Sequence, residues 1–81
     1  MAKTFHLTVA RVGENLYDGE AISVSLPGIE GMFTVYAGHE AYVSELSPGD
    51  VRIENAEGTH QVLAITGGIA EISSNQATIL L

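Results

Sequence analysis

Ile22-Ser23-Val24-Ser25-Leu26-Pro27-Gly28 alternates apolar with hydroxyl side chains and then meets a Pro-Gly pair. A period of two is the signature of a strand with one face in a core and the other in water. On that reading Ile22, Val24 and Leu26 point inward and Ser23 and Ser25 outward. The same alternation recurs on both sides of it. Phe5, Leu7 and Val9 oppose Thr4, His6 and Thr8, and Val51 and Ile53 alternate with Arg52 and Glu54. Near the end Ala77, Ile79 and Leu81 alternate with Thr78 and Leu80.

Turn formers separate these runs at short, fairly even intervals: Gly13-Glu14, Asp18-Gly19, Pro27-Gly28 with Gly31, Gly38, Pro48-Gly49-Asp50, Glu57-Gly58, Gly67-Gly68 and Ser74-Asn75. Glycine supplies positive φ and proline presets the first central position of a turn. Many short strands at regular spacing predict an all-β sandwich or barrel. Ser44-Glu45-Leu46-Ser47 could begin a helical turn but is stopped at once by Pro48-Gly49. Residues 37–46 are the most ambiguous stretch, since Ala37, Glu40, Ala41 and Leu46 have fair helix propensity; within it Tyr42-Val43-Ser44 reads as strand. Leu63-Ala64-Ile65 is continuously apolar and predicts a strand buried on both sides. The paired Gly67-Gly68 that follows predicts a bulge or a close backbone approach. With no repeat, linker or low-complexity tract, residues 1–81 read as one domain.

Composition narrows the function. Ten carboxylates face only Lys3, Arg11 and Arg52, a net charge of −7 over 81 residues. Three cations cannot neutralise a phosphate backbone or hold an anionic bilayer surface, which argues against nucleic acid and lipid headgroups as partners. There is no cysteine, hence no disulfide, thiolate ligand or thiol nucleophile. The start, Met1-Ala2-Lys3-Thr4-Phe5-His6, lacks the apolar stretch of a leader, and no apolar run approaches the ~20 residues that span a bilayer. The expectation is a soluble, cytoplasmic chain. It ends inside the apolar run Ile79-Leu80-Leu81, which reads either as an economical protein or as a domain of a longer one.

No constellation for chemistry emerges. His6, His39 and His60 have no second ligand at metal-binding spacing. Gly38-His39-Glu40 places an imidazole beside a carboxylate in a loop, but no nucleophile motif accompanies it. The pairs Asp18/Glu20 and Glu54/Glu57 read as wet turn residues. Gly28-Ile29-Glu30-Gly31 lacks the lysine and following helix of a phosphate loop. Catalytic residues, metal ligands and cofactors are therefore expected to be none. The apolar residues at turns, Leu16, Tyr17, Ile29, Met32, Tyr36 and Tyr42, outnumber what so thin a core can hold. Some are expected to form a contact patch. The function expected is to hold partners.

Five segments in register resemble one family. Thr4-Phe5-His6-Leu7-Thr8-Val9 with Leu16-Tyr17-Asp18-Gly19-Glu20-Ala21 resembles the start of the epsilon subunit of F-type ATP synthase. Gly28-Ile29-Glu30-Gly31-Met32-Phe33-Thr34-Val35-Tyr36-Ala37-Gly38-His39 matches its most recognisable run. Pro48-Gly49-Asp50-Val51-Arg52-Ile53, Ile65-Thr66-Gly67-Gly68-Ile69-Ala70-Glu71-Ile72 and Asn75-Gln76-Ala77-Thr78-Ile79-Leu80 follow in order.

The resemblance implies a ten-stranded β-sandwich of two five-stranded sheets. It also implies a central-stalk rotor subunit that is not itself an enzyme and couples c-ring rotation to the gamma subunit and the catalytic head. The implied partners are the gamma subunit and the polar loops of the c-ring, without direct bilayer insertion. The implied place is peripheral, on the cytoplasmic face of a bacterial inner membrane. The family's ring-facing loop falls on Glu30, Gly31 and Met32. Members commonly carry a carboxylate where this chain has Met32, so the ring contact is expected to be apolar there or shifted to Glu30. The gamma-facing positions fall at Arg11, His39 and Ser44, with Tyr42 adjacent. Nothing here encodes the family's C-terminal helical hairpin, so coupling without inhibition is expected. The competing readings are a free-standing carbohydrate-type β-sandwich, which the absence of tryptophan and the presence of only five aromatics disfavour, and an enzyme built on His39 and Glu40.

Overall fold

Where the sequence alternates, the backbone is extended. The structure, a computed structural model, describes residues 3–81; Met1 and Ala2, at the head of the stretch read for a leader, lie outside the described residues. Eight strands run through the described residues: β1 (Phe5–Arg11), β2 (Glu14–Gly28), β3 (Gly31–Tyr36), β4 (Tyr42–Leu46), β5 (Gly49–Asn55), β6 (His60–Ile65), β7 (Gly68–Ser73) and β8 (Gln76–Leu80). Tyr42-Val43-Ser44 is strand, as read, despite the helix propensity of the residues around it.

The strand count and the division into sheets differ from what the resemblance implied. Instead of ten strands in two five-stranded sheets, eight strands form one mixed sheet in the order β1-β8-β7-β4-β2-β5-β6, with β3 on β2 and a further β1–β2 pairing. The cause is β2, which runs for 15 residues. Its first half pairs antiparallel with β1, and its second half pairs with β3 on one side and β5 on the other. A single bridge, Gly28 to Leu46, ties its end to β4. One backbone thus serves both layers of the fold, and hydrogen bonding never breaks between them. Only β1 and β8 run parallel.

Two irregularities in β2 change which side chains face inward. In the β1 ladder Val9 pairs with Tyr17 but Ala10 pairs with Asn15, so Leu16 is an extra residue. In the β5 ladder Ala21 pairs with Asn55 and Ser23 with Glu54, so Ile22 is extra. Each extra residue shifts the two-residue period by one. The core side chains of β2 are therefore Ala21, Val24 and Leu26, with Pro27 and Gly28 also buried at its end, and Ile22 is only half-buried. Asp18-Gly19 is not a turn either; both residues sit in mid-strand, opposite Thr8 and Leu7.

The core unites Phe5, Leu7 and Val9 of β1 with Val35, Val51, Ile53, Ala70, Ile72, Ala77 and Ile79 from the other strands. Among the described residues no polar side chain is buried. Each fully buried aliphatic side chain contributes about 1.5–3 kcal/mol by leaving water. Leu63-Ala64-Ile65 is not buried on both sides: β6 ends the sheet, and of these three only Ile65 is buried. At Gly68 the expected close approach is present. Its φ is 147°, and a Cβ there would lie 2.5 Å from the Leu80 carbonyl oxygen.

Candidate functional site

Ladder register sorts the candidate residues between two ends of the sheet. Gly28 pairs with Leu46, Leu46 with Gly68, and Gly68 lies against Leu80 and Leu81. Leu81 N–H in turn donates to Ala10 O at 2.9 Å. This chain of contacts puts the Ile29-Glu30 tip, the end of β8 and Arg11 at one end. At the opposite end His6 N–H donates to Asn75 O at 3.1 Å, and His39 lines a shallow cleft with Phe5, Tyr36, Ile72 and Asn75.

The tip carrying Glu30, Gly31 and Met32 is held from both sides. Gly28 pairs with Gly31 across the hairpin. Ile29 N–H donates to Glu45 O at 3.1 Å, and Ser47 N–H donates to Pro27 O at 2.7 Å. Gly28 has no room for a side chain, since a Cβ would sit 2.9 Å from Gly31 O and 3.0 Å from the Phe33 ring. A rigid backbone thus presents Ile29 and Met32, 60% and 61% exposed, on either side of the exposed Glu30. The loop offers two apolar side chains and one carboxylate.

Arg11, His39, Tyr42 and Ser44 do not form one cluster. Arg11 Nε pairs with Glu14 Oε1 at 3.2 Å, at the β1–β2 hairpin. His39 lies in the β3–β4 loop, its N–H donating to Tyr36 O at 3.2 Å. Its Nδ1 is 2.8 Å from Glu40 O. A carbonyl only accepts, so Nδ1 carries the proton in this pair. Glu40 therefore meets the imidazole through its backbone and not its carboxylate, which removes the acid–base pair read from Gly38-His39-Glu40. Tyr42 packs edge-on against Phe33, with ring centroids 5.4 Å apart and planes at 82°. Ser44 follows two residues later on the same side of β4, where its hydroxyl donates to Glu45 O at 2.9 Å.

The other titratable groups serve the surface. His6 Nε2 lies 2.7 Å from Asp18 Oδ1, and its Nδ1 lies 3.4 Å from Glu20 Oε2. Thr4 Oγ1 donates to Glu20 Oε1 at 2.8 Å. Tyr17 donates its hydroxyl to Glu20 O at 2.8 Å. Burial, then the charges of Glu57 and Glu20, push this phenol's pKa up. Among the described residues no three His, Cys, Asp or Glu side chains gather as metal ligands, and no helix is long and apolar enough to cross a membrane. The contact-patch residues expected from the sequence do not include Val43, Ile69 or Leu80, which the structure exposes, although the alternation at the end of the chain does place Leu80 outward. Their signal was present as apolar residues out of phase with the inward positions beside them.

The chain is similar to known proteins throughout this architecture. Residues 4–81 match the family model described as the ATP synthase delta/epsilon chain, β-sandwich domain. The ATP synthase epsilon chain of Polaromonas naphthalenivorans is 38% identical over 77 residues, covering 95% of this chain and 56% of that one. That of Bradyrhizobium is 42% identical over 77 residues, with the same coverage. The chain spans a little over half the length of these curated relatives. Among solved structures, a chain of the Euglena gracilis mitochondrial ATP synthase, seen with OSCP, F1 and c-ring, superposes with a TM-score of 0.89 at 28% identity. That match covers 95% of this chain and 49% of the other. A chain of the Tetrahymena thermophila mitochondrial ATP synthase central stalk and c-ring shares the fold, with a TM-score of 0.78 at 15% identity. It covers 98% and 63% of the two chains.

Proposed function

This chain belongs to the ATP synthase delta/epsilon family, as its β-sandwich domain, and from that premise we propose that it is a non-catalytic rotor element of the central stalk. It couples rotation of a c-ring to the gamma subunit, and catalysis resides in other chains. The observation that carries the reading is the match over residues 4–81, made on a fold that superposes at a TM-score of 0.89 on a chain from an F1/c-ring assembly.

Within this reading residues 1–81 act as one unit. Glu30, Gly31 and Met32 meet the polar loops of the ring. The rigid anchoring of that tip to β4 supports the assignment, because a coupling element must transmit force without yielding. The exposure of Ile29 and Met32 supports a contact that is apolar at its flanks and acidic at Glu30. Arg11, His39, Tyr42 and Ser44 address the gamma subunit along the length of the sheet, at several points and not at one spot. The assembly sits on the cytoplasmic face of the inner membrane and holds this chain without inserting it.

Co-expression with the cognate gamma subunit tests the proposal. A 1:1 complex that survives gel filtration, with no ATP hydrolysis by this chain alone, is the expected result. Separate elution of the two chains at micromolar concentration would overturn it.

A further inference from the structure

Among the described residues β6 pairs only with β5, from Gly49 opposite Ile65 to Glu54 opposite His60, without a bulge. The backbone groups along its other side have no backbone partner within the described chain. Such a row is a template for another strand, and natural edges are blunted by charges, proline, bulges or a covering segment. β6 carries none of these. It reads His60-Gln61-Val62-Leu63-Ala64-Ile65, with Gln61, Val62 and Ala64 exposed. The other free edges are guarded. The first half of β2 pairs only with β1, but it holds Glu14, Asp18, Glu20 and the Leu16 bulge. On β3 and β4, Phe33 and Tyr42 pack edge-on at 5.4 Å, so those two edges meet each other. A single unguarded edge admits a closed pair and not a fibre.

Charge on β5 selects the occupant and its register. A two-fold antiparallel pair that keeps both core faces on one side must set one residue of β6 against its own counterpart. With Leu63 at the centre, Val62 pairs with Ala64 of the second copy, and the two half-buried Leu63 side chains meet. Arg52 pairs with Val62 and Asp50 with Ala64 within each chain. Arg52, Val62, Ala64 of the second copy and its Asp50 then form one row on the outer face, and symmetry repeats it. At about 4.8 Å between strands, the end Cα atoms are roughly 14 Å apart. The long arginine stem lies over Val62 and the small Ala64 toward the carboxylate. Among the described residues no carboxylate is within salt-bridge distance of Arg52. Other registers fit worse. Centring on Val62 sets Arg52 against Arg52 and Glu54 against Asp50, and centring on Ala64 sets Asp50 against Asp50. Like charges so placed are destabilising. Centring on Gln61 opposes Arg52 to Glu54 but pairs only His60 to Val62 around a glutamine.

We propose that a second copy of this chain adds to the free edge of β6, as an antiparallel β6–β6 pair centred on Leu63. Main-chain hydrogen bonds supply the affinity, and the two Arg52–Asp50 rows fix the register. This pairing stands independently of the rotor reading, because β6 carries none of the residues assigned to the ring or the gamma subunit. The contact is small, below the roughly 1,200 Å² of a standard interface. A net charge of −7 on each copy also opposes it. The dimer is therefore weak, with a dissociation constant of about 0.1–1 mM.

Sedimentation equilibrium of the full chain, from about 10 μM to 2 mM, reads the association. The mean mass should rise toward that of two chains. Arg52→Asp should weaken association by about tenfold. Adding Asp50→Arg restores opposite charges across each row and should recover the parent's affinity to within about threefold. Lys3→Asp makes the same change of net charge away from β6 and should associate as the parent does. All three positions are exposed, and circular dichroism confirms that each variant keeps the parent fold. Amide hydrogen exchange of the parent at low and high concentration, which needs no variant, should show added protection on β6. A parent that stays monomeric throughout overturns the proposal. So does a dimer that Arg52→Asp leaves intact, one that the folded double variant fails to recover, or one whose added protection lies on another strand. Binding to the gamma subunit has its own assay and is touched by none of these outcomes.

Discussion

Gly68→Ala should be among the most damaging single-methyl additions this fold can suffer. Gly68 opens β7 at a φ of 147°, a conformation that L residues rarely adopt. Holding alanine there costs about 1–3 kcal/mol in backbone strain. The new Cβ would also lie 2.5 Å from the Leu80 carbonyl oxygen, 3.0 Å from Leu81 Cδ2 and 3.3 Å from Leu81 Cα. Two of these neighbours are backbone atoms, so relief requires moving β8 away from β7, where Ile69 pairs with Leu80. Overpacking of that kind adds about 1–3 kcal/mol. A total of about 3 kcal/mol is a large share of the roughly 5–15 kcal/mol that holds a domain together. It should lower the melting temperature by about 12–24 °C. Gly13→Ala is the control. Gly13 also has positive φ, 77°, but a Cβ there meets nothing within 4 Å, so it should cost only about 1–2 kcal/mol. Urea unfolding of the two variants followed by far-ultraviolet circular dichroism separates them. If Gly68→Ala unfolds at the same midpoint as Gly13→Ala, the β7–β8 backbone contact does not constrain this position and the reasoning fails.

Three further outcomes are expected. Val24→Ala should destabilise more than Ile22→Ala, although it removes less side chain, because Val24 is fully buried and Ile22 is the bulged residue; equal losses in chemical denaturation would place the bulge elsewhere. Tyr17 has its pKa raised, chiefly by burial and then by Glu57 and Glu20, so the unfolded chain ionises there first. Stability should be complete below about pH 10 and fall as pH rises through the folded value. Tyr17→Phe should remove that part of the alkaline slope, at a cost near neutrality of about 1 kcal/mol for the lost hydrogen bond; thermal melts across alkaline pH check both. Met32→Glu should leave the melting temperature nearly unchanged, since the side chain is 61% exposed; a large loss of stability would mean that the tip is packed and not presented.

The parts of the fold legible in the sequence were those where period two runs unbroken. Phe5, Leu7 and Val9, like Val51 and Ile53, face inward as their spacing predicted. Reading failed where a ladder shifts, because a bulge is a property of two strands and only one of them is visible in a local window. That is why spacing alone predicts Ile22 in the core in place of Ala21. Leu63-Ala64-Ile65 misled for a related reason: an apolar run records composition, whereas burial depends on having a neighbour on each side, and β6 has only β5. The mid-strand Asp18-Gly19 was hidden similarly, held extended by Thr8 and Leu7 across the ladder. For the candidate sites, Gly28 and Gly31 made the β2–β3 turn legible, while the ring-facing role of Glu30, Gly31 and Met32 was only what the family resemblance implied. That the exposed Val43, Ile69 and Leu80 are neighbours was not legible, because residues from three segments meet only once the ladders are known.

The parallel pairing of β1 with β8 bears on how the protein is made. His6 lies beside Gln76 and Ala10 beside Leu80, about seventy positions apart in the chain. On a ribosome adding some 5–20 residues per second, β1 emerges first and can find β2 at once, yet its other edge stays open for several seconds until β8 follows. Contacts so distant in sequence also carry a closure cost that slows folding once the chain is released. The nascent protein therefore passes through an interval in which the Phe5-Leu7-Val9 strand is paired on one side only. A cell that makes it in quantity has reason to shield that edge, or to have the partner waiting.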